Sequence, residues 1–436
     1  MFITASDRTA PRYEPRPIGS LQGCLDAGLD IGRSLWDRSA LLLHLDVDYV
    51  NFAFPAGPHL DPPRSFAVQR PVFEAIEAVL GGYGIPRLRL LSGRGHHVLW
   101  QVAEGSPAWR RLTEIGRVPP SMRGRYSAHR GPQDERVSPE LAAAYAGARL
   151  LMEYMGHRVL AAAAPRSALP VTLTEVRVGT GRRGPEIVAV DISEYGDPLH
   201  TRGIRAAYSA YFKPMQRRSV LGERVVEDLP ASFVIPMGEL STAEGLALMR
   251  GAAEVRRYAR DASAAIPDGS RPTAALIEDY HVSSLARFHD AFYGEPPHPP
   301  AAWRDTYDRM DLDALPPCGR RPLACPNDLL LKPECIQHVV RLLMADGWHP
   351  RHIAGLIRSK YERDFGWGSY WYTYDATGRA DFYVRLFAGL FWTGRDDLVD
   401  FNCVSGQEKG HCRAEECAHD LEDWRDRLLG RRVAHV

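Results

Sequence analysis

The chain carries no net charge: 54 Lys and Arg offset 54 Asp and Glu across 436 residues. Overall electrostatics therefore give no argument for a nucleic-acid partner, which has to be sought in local patches. Long apolar runs are missing as well. None approaches the roughly 20 residues of a membrane-spanning helix, and neither end has a secretory apolar core, so a cytoplasmic protein that crosses no membrane is expected. Cysteine is nearly absent before residue 317, where Cys24 stands alone; the other six lie beyond it. Thiols stay reduced in that compartment, which makes a cluster of them metal ligands sooner than disulfides. No internal repeat and no low-complexity segment occurs. What remains, 45% hydrophobic and 25% charged residues, is the make-up of a globular protein too long for one ordinary core, so two or three domains are expected.

The most informative stretch is LLLHLDVDYVN at residues 41–51. Its apolar start reads as a buried strand. Asp46 and Asp48, two apart, then fall on one face while Leu45, Val47 and Tyr49 pack behind them. Two neighbouring anions repel. A divalent cation such as Mg2+ or Mn2+ is the plainest thing to hold them together, because hard cations take carboxylate oxygens. Alone, a DxD pair is better explained by a strand running out into a solvated turn.

Residues 1–20 are polar and proline-containing and read as a loose arm, and 21–38 as a short helix. After the acid-bearing strand, AVQRPVFEAIEAVLGGYG reads as a helix stopped by its glycines. PRLRLLSGRGHHVLWQVAEG then reads as strand, tight turn, strand, completing an α/β unit. Residues 107–138 look like an arginine-rich loop, with Arg110, Arg111, Arg117, Arg123, Arg125 and Arg130 among Trp109 and Tyr126. Such a run is either a solvated face or a track for a phosphate backbone. Residues 139–163 predict a helix opened by Ser138-Pro139. TLTEVRV and EIVAVDIS, joined by GTGRRG, predict a β-hairpin whose second strand ends in a third carboxylate, Asp191. Residues 202–218 hold Arg202, Arg205, Lys213, Arg217 and Arg218 and no acid. Residues 231–290 read as helical, and proline-rich text (GEPPHPPAAW, ALPPCGRRPLACP) marks the best domain boundary.

Taken in order, LDVDYV, SGRGHH, VAVD and IRAAYSAYFKP resemble the catalytic subunit of the archaeo-eukaryotic primase superfamily. That family has a strand-borne DxD, an SGRGxH turn, a third acid at a strand end and an R-x-P-G-S-x-H-x-K segment. The resemblance spans about residues 40–215. It implies that Asp46, Asp48 and Asp191 are the catalytic, metal-holding acids, and that Ser92, Gly93, Arg94, Gly95, His97, Arg205, Ser209 and Lys213 surround a nucleotide. Ala207 and Tyr208 stand where the family has Pro-Gly, and Tyr211 where a histidine is common. The chemistry agrees with nucleotidyl transfer: two cations on three acids clamp the attacking and leaving oxygens of an in-line displacement at an α-phosphate. His97, Arg205 and Lys213 are expected to hold the triphosphate. Gly93 and Gly95 would let the backbone approach the nucleotide, and Arg94 would contact phosphate or template.

Cys403, Cys412 and Cys417 in NCVSGQEKGHCRAEECAHD are near enough in sequence to share a metal. Cys335 begins a helix in KPECIQHVV, where a thiol pKa is expected to be lowered. With KPEC, FNC, KGHC and EEC the tail resembles the iron-sulfur domain of the primase large subunit, whose four cysteines bind one [4Fe-4S] cluster. Four thiolates suit tetrahedral Zn2+ equally, and Cys318 or Cys325 is an alternate for Cys335. By the same resemblance the tract with His349, Arg351, His352, Arg358, Lys360, Tyr361, Tyr370 and Tyr372 binds the template or the first nucleotide. FGWGSYWYTYD reads equally well as hydrophobic core.

The expected architecture is α+β. A primase-type catalytic domain with a mixed or antiparallel sheet and flanking helices covers 1–230, a helical segment and proline-rich linker 231–325, and a mainly helical cysteine-rich domain 326–436. The expected activity is DNA-templated primer synthesis from NTPs or dNTPs on single-stranded DNA, with a replicative helicase or other replication protein as an implied partner. The alternatives are a repair polymerase that only extends existing ends, a metal-dependent nuclease suggested by His96-His97, and a non-catalytic nucleic-acid-binding protein.

Overall fold

The computed structural model describes residues 2–7, 13–33, 40–128, 136–179, 184–196, 203–327, 329–368, 371, 374–413 and 417–433. Arg130, Arg202, Tyr370, Tyr372 and most of the GTGRRG turn lie outside the described residues.

The LLLHLDVDYVN text belongs to a central strand that is buried along almost its whole length, which is why its start is so continuously apolar. That strand is β4 (Ala40–Asn51), and with β5 (Leu88–Leu91), β6 (Gly95–Ala103), β7 (Val171–Thr172), β8 (Glu186–Asp191) and β10 (Ile235–Pro236) it builds a six-stranded sheet in the order β10-β5-β6-β4-β8-β7. Neighbours run antiparallel except β7 and β8. A second, four-stranded antiparallel sheet has the order β2-β1-β3-β9, from β1 (Phe2–Ser6), β2 (Glu14–Pro17), β3 (Asp30–Arg33) and β9 (Ile204–Arg205). The class is α+β.

Helices cover the larger sheet. Pro62–Gly82 starts on Asp61, whose side chain accepts from Arg64 N–H at 3.1 Å. It lays Phe66 and Phe73 against His96 of β6, on the face opposite the acids. Pro139–Ala163 is capped by Ser138, which accepts from Leu141 N–H at 3.0 Å, with proline in the first turn as the sequence predicts.

Several expectations are corrected. Residues 2–6 and 14–17 are strands rather than a loose arm, held because β1 pairs with both β2 and β3. Residues 107–138 hold two helices, Pro107–Ile115 and Pro120–Ala128. Trp109 and Tyr126 are buried there, and Arg111, Arg117 and Arg125 pair with Glu278, Asp290 and Asp375, so this run is no stacking track. TLTEVRV forms no hairpin with EIVAVDIS: only Val171–Thr172 is strand, parallel to β8, before the chain turns at Thr174 with φ of 107°.

The proline-rich text folds into 3-10 turns around buried Trp303. Beyond it, helix Ala376–Trp392 sends fully buried Arg385 to Glu153 of the Pro139–Ala163 helix (Nε to Oε2, 2.9 Å). The C-terminal helices thus rest directly on the half that carries the larger sheet. Among the described residues no helix is long and apolar enough to cross a membrane.

Candidate active site

Register brings the distant acids together. Asp46 of β4 pairs directly with Asp191 of β8 on one side and with His97 of β6 on the other. Directly paired residues of an antiparallel ladder point to the same face, so these three side chains project side by side, with Asp48 two residues along. Adjacent His96 falls on the opposite face, between Phe66 and Phe73, and burial pushes it down to about 3. It is a core residue on the face away from His97.

Asp46 and Asp48 differ sharply in surroundings. Burial, then the charges of Asp48, Glu194 and Asp191, holds the Asp46 carboxyl well above the usual carboxylate range, with Lys213 pulling the other way. For Asp48 burial also acts upward, but Arg94 and Lys213 outweigh it and the carboxyl is held below its usual range. Arg94 is itself buried and bonds Asp48 Oδ2 and Glu175 Oε1, the latter at 2.7 Å; Lys213 Nζ lies 3.5 Å from Asp48 Oδ2. Arg94 is therefore engaged by two carboxylates rather than presented to phosphate.

Around His97 the structure places groups that the motif reading passed over. His97 Nδ1 lies 2.8 Å from His44 Nε2 and 3.6 Å from Asp46 Oδ1, and His44 Nδ1 lies 2.6 Å from Glu194 Oε1. Burial and the neighbouring His44 keep His97 well below its ordinary pKa. The signal for His44 was the strand alternation itself, since it shares the face of Asp46 two residues before it. Glu194 lies three residues past Asp191, in the 3-10 turn Ser193–Tyr195.

Other predicted residues have different work. Arg205 Nε sits 3.3 Å from Oδ1 of fully buried Asp30, which also accepts from Tyr13 OH and Phe212 N–H at 2.8 Å each. The Arg205 guanidinium lies over the Tyr211 ring at 4.6 Å. Nothing in the text announced Asp30. Ser92 closes its turn by bonding Gly95 O, and buried Ser209 donates to Ala206 O at 2.8 Å. The glycines are required by the protein, not by a ligand: a Cβ on Gly95 would stand 2.0 Å from Val47 O, and one on Gly93 2.3 Å from the Tyr211 ring.

The donor set at Asp46 suits a hard cation. Its Oδ1 is buried with no hydrogen-bond partner. Asp48 is already neutralised by Arg94 and Lys213 and would share its oxygens. Among the described residues, however, no three His, Cys, Asp or Glu side chains are gathered as a ready metal site.

No family model, curated protein or solved structure matches this chain.

In the C-terminal third, Cys318 and Cys335 are buried, Cys403 and Cys412 half-buried, and Cys325 and Cys417 exposed. Burial raises the Cys318 and Cys335 thiols, with Cys412 adding to Cys318 and Glu334 to Cys335, and among the described residues no three Cys, His, Asp or Glu side chains are gathered there as a ready metal site. The expected low pKa at the start of helix Pro333–Ala345 does not occur. Burial, and then Glu334, pushes Cys335 up to about 12, more than the helix end offsets. Of the predicted template residues, Arg351 and Tyr361 are buried, while His349, His352, Arg358 and Lys360 are half-buried. Arg351 pairs with Asp381 at 2.6 Å, Tyr361 is buried and bonds Leu330 O, and Trp367 and Trp371 pack beside it as core. His352 pairs with Glu295 at 3.0 Å and Arg358 with Glu362 at 2.6 Å.

Proposed function

We propose that the chain is a primase-type nucleotidyltransferase that makes primers on single-stranded DNA from NTPs or dNTPs. The observation that carries this reading is the placement of Asp46 directly between Asp191 and His97 in the sheet, with Asp48 and Lys213 alongside. Asp46 and Asp191, with a shared oxygen from Asp48, would hold Mg2+ or Mn2+. The cation supplies charge stabilisation to the attacking and leaving oxygens of phosphoryl transfer. Lys213 offers a cation to the phosphates, and His97 contacts the nucleotide. Arg94 keeps Asp48 ionised, and Asp30 holds Arg205 and the Phe212–Lys213 backbone in place.

For the thiol group, a [4Fe-4S] cluster or Zn2+ is the bound species, held by Cys403, Cys412 and Cys417 with buried Cys318 or Cys335. Air-free purification separates these: a brown protein with iron and acid-labile sulfide supports the cluster, and a colourless one with stoichiometric zinc supports the alternative.

The deciding assay is primer synthesis on unprimed single strands, comparing wild type with Asp46→Ala and Asp48→Ala. Loss in both variants is expected; variants equal to wild type would sink the assignment. Extension of primed templates without synthesis on unprimed ones would favour the end-extending polymerase. Metal-dependent nucleotide binding with no synthesis would favour a binding protein.

A further inference from the structure

Burying a carboxylate and two imidazoles in a line is costly unless the polar groups satisfy one another. Glu194, His44 and His97 do so with two bonds, at 2.6 Å and 2.8 Å, and all three are buried. The two rings lie 15° from parallel, with centroids 5.1 Å apart.

The chain is also anchored at its far end. Tyr145 OH of the Pro139–Ala163 helix donates to Glu194 O at 3.1 Å, and His44 N–H donates to Tyr195 OH at 2.9 Å. The turn that carries Glu194 is thus fixed to both a core helix and the central strand. At its other end the chain reaches the acids: His97 Nδ1 also lies 3.6 Å from Asp46 Oδ1.

We propose that Glu194 and His44 are positioning residues that act on the bound nucleotide through His97. They hold its imidazole in one orientation through Nδ1. Apolar residues of similar size would fill the same space without fixing the ring. This inference rests on the nucleotidyltransferase reading.

The test is calorimetric binding of a nucleoside triphosphate to the full chain in the presence of Mn2+, with binding of Mn2+ alone measured in parallel. Glu194→Gln, which keeps shape and removes charge, and His44→Phe are each expected to weaken triphosphate binding about tenfold, with Mn2+ binding within about twofold of wild type. Adding His44→Phe to His97→Gln should weaken binding no further, because residues that act in series are not additive. A full additional loss in the double variant, or unchanged affinity in Glu194→Gln, would overturn the relay. A wild-type protein that binds no triphosphate would instead overturn the reading on which it rests.

Discussion

The bond between Glu153 and Arg385 joins the sheet-bearing half to the C-terminal helices, and its removal can be worked through. Glu153 is 1% exposed and Arg385 0%. Arg385 Nε meets Glu153 Oε2 at 2.9 Å, Arg385 Nη1 donates to Tyr293 OH at 2.8 Å, and His289 Nε2 meets Glu153 Oε1 at 3.1 Å. Glu153→Gln keeps the shape but leaves a buried guanidinium without its carboxylate. A unit charge pair about 4 Å apart interacts by about 4 kcal/mol at an effective dielectric of about 20. Breaking such buried pairs typically costs about 3–5 kcal/mol, so that loss is expected in urea unfolding followed by circular dichroism. The same network should make both halves unfold in one transition.

Acid titration gives an independent arm. Burial would raise the Glu153 carboxyl, but Arg385 and His289 win and hold it at about 2, against 4.5 when free. Its stabilisation is therefore present above pH 4.5 and lost as pH falls through about 2, amounting to about 3 kcal/mol at about 1.4 kcal/mol per pKa unit. Glu153→Gln should lack that acid-dependent step. Replacing both partners, Glu153→Leu with Arg385→Met, should recover all but about 1–2 kcal/mol, because no charge is then left alone. A single-variant loss under about 1 kcal/mol, or a double variant no better than the single, would refute the reasoning.

Other expectations follow from packing and burial. Gly95→Ala should cost about 3 kcal/mol or more, since its Cβ would meet Val47 O of the central strand at 2.0 Å, whereas Gly81→Ala, with nothing within 4 Å, should stabilise its helix by about 0.5–1 kcal/mol; thermal melts rank the two. Burial pulls His157 down to about 4 from 6.5. The unfolded chain then binds the extra proton, so about 3 kcal/mol of stability is lost as pH falls from 6.5 to 4, and acid unfolding of His157→Gln should lack that step. Cys318→Ser should lower the metal content of the purified protein, while exposed Cys325→Ser should leave it unchanged; equal loss in both would place Cys325 among the ligands.

Much of the sheet and the acid constellation was legible in the text because short-range rules govern them. Alternation set Asp46 and Asp48 on one face, the Ser138-Pro139 pair opened its helix, and the apolar run of β4 marked a buried strand. The N-terminal arm was misread because its strands are held by pairing with β3, a contact no local pattern contains. The 171–178 segment was misread for a similar reason: its β-favourable residues are bent away at Thr174, which delivers Glu175 to Arg94.

By itself the sequence determined which residue types stood in line for metal and phosphate chemistry, and the periodicities that carried them. Only the tertiary structure decided which cations they keep company with. Arg94 and Arg205 read as phosphate ligands until Asp48, Glu175 and Asp30 are seen against them. Arg351 and Tyr361 read as surface groups until their burial is known. The reason is that charge pairing and desolvation depend on through-space neighbours far apart in the chain, such as His44 and Glu194, 150 residues apart and 2.6 Å from atom to atom.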